Sequence, residues 1–133
     1  MRLDVVFEET LAHPVEAVWE ALTNREAISD WLMDAPGFEP VVGTRFRLKT
    51  EHLAQDGWVK AEVIELDPPR RMVWAWSVDE SPPTTVTFEL NREAGGTRLK
   101  LTHEGEIHAG AGRLIRAGWP DKIDALRRKL ERA

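Results

Sequence analysis

Apolar and polar residues alternate from the first residues of the chain. Leu3, Val5, Phe7 and Leu11 share one side of an extended segment, which is the period of a strand. The period then changes. Pro14 stands where a helix opens and its missing N–H costs nothing. Val15, Val18, Trp19 and Leu22 recur at helical spacing, with Trp19 expected in the core, and Thr23-Asn24 ends the run. Glu26 to Trp31 predicts a second short helix, with Ile28, Trp31 and Leu32 on one side.

A run of strands follows. Pro36-Gly37 and Val42-Gly43 mark turns, and Thr44 to Thr50 carries Phe46 and Leu48 on one face. Asp56-Gly57 signals a hairpin into a strand over Gly57 to Leu66. After the Asp67-Pro68-Pro69-Arg70 turn, Met72 to Val78 sets Trp74 and Trp76 against Val73 and Ala75. Beyond Ser81-Pro82-Pro83, Thr85 to Leu90 aligns Val86, Phe88 and Leu90. Gly95-Gly96 then turns into Thr97 to His103, where Leu99, Leu101 and His103 share a face. Strands joined this tightly pair antiparallel, because a parallel crossover needs a dozen or more residues.

The last segment is helical again. Ile115, Trp119, Ile123, Leu126 and Leu130 make one apolar stripe. Pro120 either kinks this helix or occupies the first turn of its main part; the spacing of the stripe favours a kink. The predicted fold is α+β. A curved antiparallel sheet of about six to seven strands wraps around a long C-terminal helix, with two short helices after the first strand. A helix docked across a bent sheet leaves a wedge, and such wedges hold small apolar ligands. The gap is expected near Trp119, towards Trp74, Trp76 and His103, with Leu126 and Leu130 in packed core.

Composition narrows the chemistry. The 133 residues suit one domain, spanning 1–133. The absence of cysteine removes disulfides, thiolate nucleophiles and zinc–thiolate sites. A net charge of −5 gives no support to nucleic-acid binding. From Arg113 onward the basic residues outnumber the acidic ones, as expected of cations near a helix C-terminus. Acidic residues precede any apolar run at the start, and no stretch approaches a membrane span. The expected location is the cytoplasm.

At this point the chain resembles a known family. His13-Pro14-Val15-Glu16-Ala17-Val18-Trp19-Glu20-Ala21-Leu22-Thr23, followed by Trp31, is similar to the opening of the homologues of the activator of the 90-kDa heat-shock protein ATPase. These belong to the START-like, Bet v 1-like (SRPBCC) superfamily. Val42-Gly43, Gly57 with Val63, and Leu66 to Arg71 continue the likeness. So do Trp74-Ala75-Trp76, Thr85 to Phe88, Gly96 to Leu99, His103-Glu104-Gly105, and Gly118-Trp119 before the last helix. The resemblance implies a helix-grip fold with a cavity between sheet and helix. Relatives bind lipids, hormones or polyketides, act as cyclases or hydrolases, or serve as co-chaperones, so fold alone assigns no reaction.

The candidate ligand-binding residues are Trp31, Phe46, Trp74, Trp76, Phe88, His103, Ile115 and Trp119. Aromatic side chains clamp flat ligands, and they equally fill cores. His103 is the one candidate for acid–base work, against a structural role. His103 and His108 lack the spacing of a helical zinc motif, and neither a metal nor a cofactor is expected. Gly110-Ala111-Gly112 lacks the third glycine and the βαβ setting of a dinucleotide loop. Ser29, Ser77 and Ser81 lie in no nucleophile elbow. Glu62, Glu65, Glu89 and Glu104 belong to the solvent face of the sheet. The leading expectation is a binder of a small apolar or aromatic molecule, acting as monomer or homodimer. A cyclase, dehydratase or hydrolase acting on a polyketide-like or aromatic substrate comes second. A co-chaperone with a protein partner comes third.

Overall fold

The computed structural model describes residues 1–132. Strand β1 (Arg2–Leu11) is followed by helices α1 (Val15–Thr23) and α2 (Arg25–Trp31). Strands β2 (Arg45–Lys49), β3 (Trp58–Asp67), β4 (Arg71–Ser77), β5 (Thr84–Glu93) and β6 (Gly96–Glu106) lead to helix α3 (Ala109–Arg132). The six strands form one antiparallel sheet in the order β1-β6-β5-β4-β3-β2. The meander from β2 to β6 thus ends beside β1. This is the expected α+β helix-grip architecture, with six strands.

Alternation puts one face of every strand into the core. Val5, Leu48, Val63, Trp74, Phe88 and Leu101 are all buried in the single core that α3 shares. The α3 stripe Ile115, Trp119, Ile123, Leu126 and Leu130 is buried as its spacing requires. Fully burying one such aliphatic side chain stabilises the fold by about 1.5–3 kcal/mol. Two polar contacts hold α3 at its far end. Lys129 Nζ lies 2.9 Å from the Asp30 carboxylate on α2, and Arg127 pairs with Glu9 on β1.

Asn24 separates the two short helices and serves both. Its backbone N–H donates to the Glu20 carbonyl, and its side chain accepts from Ala27 N–H at 3.0 Å. Such a cap contributes about 1 kcal/mol. Beyond α2 the chain runs along the outer edge of β2. Lys49 N–H donates to Asp34 O at 2.9 Å and Arg47 N–H to Pro36 O at 3.2 Å. That cover blunts a strand edge that would otherwise offer free backbone groups.

Several expectations need correction. Pro120 lies well inside α3, which begins at Ala109 and runs through it. The first-turn alternative therefore fails, and Gly118-Trp119 sit within the helix instead of before it. Proline removes the bond to the Arg116 carbonyl. Both residues are exposed, so water can meet that carbonyl. Gly110 to Gly112 belong to the first turn of the same helix. Trp19 is half-buried against the core instead of inside it. The β2–β3 connection spans 50–57, longer than the Asp56-Gly57 signal suggests, although Gly57 adopts the left-handed φ of 84°.

Candidate functional site

Four elements meet at one end of the grip. The N-terminal half of α3 crosses the ends of β2 and β4 there, beside the end of α2 and the 50–57 loop. Side chains leave a cleft of about 550 Å³ between them. Trp76, Ile115 and Trp119 form its apolar depth, and Leu32, Met33 and Leu53 line its sides. Asp34, Lys49, Glu51, His52 and Lys122 give it a charged mouth. The Asp34 carboxylate accepts from the Ser29 hydroxyl, and Glu51 lies 3.7 Å from His52.

One position in the wall is bare. Gly118 lines the cleft, and a Cβ built there meets no atom within 4 Å. Glycine inside a helix costs about 1 kcal/mol relative to alanine. No close approach of another chain segment explains it, and a side chain there would enter unfilled space.

Beneath the cleft runs a buried polar thread. The Trp119 indole N–H donates to Nδ1 of His103 at 3.0 Å. A neutral imidazole then carries its proton on Nε2. That N–H faces Thr84 Oγ1 at 2.7 Å, and the Thr84 hydroxyl donates to the Trp76 carbonyl at 3.1 Å. Every group in the thread is satisfied with His103 neutral. Loss of hydration holds His103 neutral, pushing its pKa down from 6.5 to about 3. Its ring also stands edge-on to Trp76, with centroids 5.1 Å apart.

The predicted site residues separate into three groups. Trp76, Ile115 and Trp119 line the cleft, and His103 lies directly behind them, with no exposed surface. Phe46, Trp74 and Phe88 form a buried aromatic cluster with Phe38, at centroid distances between 4.9 and 5.9 Å. Phe46 also borders a separate cleft on the outer face. Trp31 is buried between α1 and α2, where its indole N–H donates to Ala21 O at 2.8 Å. Leu53 and Gly118 escaped the sequence reading. Leu53 sits in a loop without period. Gly118 follows Ile115 by three residues, a spacing that marks the same helix face once α3 is extended through Pro120.

With this geometry in view, residues 12–131 match the family described as Activator of Hsp90 ATPase homolog 1-like protein. The chain belongs to that family. Protein MLL2253 from Mesorhizobium loti is similar over 98% of both chains, with 29% identity and a TM-score of 0.83. CalU16 from Micromonospora echinospora is 24% identical over 96% of this chain and 75% of its own, with a TM-score of 0.80. DynU16, a protein in the dynemicin biosynthetic locus, is 23% identical over 97% of this chain and 47% of its own, with a TM-score of 0.81. No curated protein matches the chain. At these identities the last two likenesses speak for the fold. Among the described residues no helix is long and apolar enough to cross a membrane, and no cluster of metal-ligating side chains occurs.

Proposed function

We propose that this member of the family binds a small apolar molecule in the cleft between α3, β4 and the β2–β3 loop. The supporting observation is Gly118, a bare helical position facing open space beside Trp76 and Trp119. The volume of about 550 Å³ falls within the range of small-molecule sites. The charged mouth suits a molecule with one polar end, and the tryptophans suit a flat apolar body.

A reaction centred on His103 is not supported. Both of its nitrogens are engaged by protein groups, and Trp119 stands between it and the cleft. A general base must reach the proton it removes. The family description suggests a second reading, stimulation of an ATPase through direct contact. Val41, Val42 and Ile64, 58%, 57% and 41% exposed, are apolar side chains such a contact would use.

Native mass spectrometry of protein purified gently from its own host tests the first reading. We expect a species heavier than the bare chain by one small molecule, and loss of that species in Gly118→Phe. A bare chain that also takes up no apolar dye would overturn it.

A further inference from the structure

The outer face of the sheet carries a second cleft of about 670 Å³, over β2, β3 and β4. Sheet register builds its chemistry. Arg47 on β2 lies directly opposite Lys60 on β3, and Lys60 directly opposite Ser77 on β4. Directly paired residues share a face, and neighbouring strands lie ~4.8 Å apart. Arg47, Lys60 and Ser77 therefore occupy one row of positions across three strands, and all three residues line the cleft.

This row departs from its surroundings. Opposite signs face one another at Arg45 and Glu62, at Arg71 and Glu89, and at Glu8 and Lys100. Like charges placed directly opposite destabilise a sheet. Asp4 and Glu104 also pair with like sign, but at the far edge, between β1 and β6. Arg47 and Lys60 form no ion pair among the described residues, although the chain holds 23 acidic residues against 18 basic ones. The one carboxylate lining this cleft, Glu62, is engaged by Arg45 at 3.4 Å. Arg47 is also oriented, because its Cζ lies 4.2 Å from the centre of the Trp58 ring. Lys49 Nζ lies 4.9 Å from the same ring, so two cations share Trp58 and neither has a carboxylate partner among the described residues.

We propose that this row is an oxyanion site that receives the phosphate group of a small phosphomonoester. A phosphate carries up to two negative charges and three acceptor oxygens. It would relieve the Arg47–Lys60 repulsion, take a forked pair of bonds from Arg47, and accept from Lys60 and Ser77. Ala75 and Ser77 contribute short side chains, leaving room above the sheet for the rest of the molecule. This site is independent of the inner cleft.

Backbone amide NMR with inorganic phosphate as the probe, against chloride at matched ionic strength, tests the site. We expect saturable shifts at Arg47, Lys60 and Ser77 with phosphate alone. Lys60→Gln and Arg47→Gln should each weaken the response by roughly tenfold. Arg92→Gln, on β5, exposed and outside this cleft, should change it by less than about twofold. Unchanged amide dispersion in each variant establishes that the fold is kept. Equal shifts with chloride, or an undiminished phosphate response in both Lys60→Gln and Arg47→Gln, would overturn the proposal.

Discussion

Trp119 on α3 donates its indole proton to His103 on β6, at 3.0 Å and out of contact with water. Through Thr84 the same histidine reaches the Trp76 backbone on β4. One side-chain thread therefore ties the helix to three strands, at the end of the grip where the apolar cleft opens.

Breaking the thread should be costly. His103→Ala leaves the Trp119 N–H without an acceptor and opens a void beneath the cleft. An orphaned buried polar group costs about 1–3 kcal/mol, and the void adds to it. We expect urea denaturation to give a loss of about 2–4 kcal/mol, with the inner cleft widened.

The same histidine makes stability fall in acid. Its folded pKa, about 3, lies below the unfolded value near 6.5. Between these values the unfolded chain takes up a proton that the folded chain does not. This contribution is whole above pH ~6.5 and is lost as pH falls towards 3, at up to about 1.4 kcal/mol per unit. Urea midpoints across pH 4–7, wild type against His103→Gln, measure it. The wild type should show the steeper loss; parallel curves would show that His103 is not its source.

The fold was largely legible in the sequence because alternation and helical spacing report burial directly. Leu3 to Leu11 and the stripe from Ile115 to Leu130 are examples. The site was less legible, because strand period assigns a face without a depth. Trp74 and Trp76 share a face, yet Trp74 sits among three phenylalanines while Trp76 lines the cleft. The cross-sheet row of Arg47, Lys60 and Ser77 depends on register. Separate segments do not reveal register by themselves. Leu53 lies in a loop whose path is set by tertiary packing.

Gly105 supports the thread from the side. Its φ of 140° is one that residues with a Cβ rarely adopt, and a Cβ there would stand 3.0 Å from Thr84 Cγ2 and 3.1 Å from Thr84 Cα. Gly105→Ala should displace Thr84 from His103 and lower stability by about 1–3 kcal/mol. Thermal unfolding gives the loss. An imidazole NMR signal at Nε2 unchanged from wild type would show that the thread survives and contradict this cause.

Trp31 should matter to the helices more than to the cleft. Trp31→Phe keeps an aromatic ring but removes the donor to Ala21 O. A loss of about 1 kcal/mol is expected, with no change in binding of an apolar dye to the cleft.

Gly118 keeps room for a ligand. Titration of N-phenyl-1-naphthylamine fluorescence against wild type, Gly118→Ala, Gly118→Leu and Gly118→Phe tests it most directly, with thermal stability followed in parallel. Alanine should raise stability slightly, by about 1 kcal/mol or less, and weaken binding little. Leucine and phenylalanine should abolish binding in steps while the protein stays folded. Equal dye affinity across the four folded proteins would contradict it.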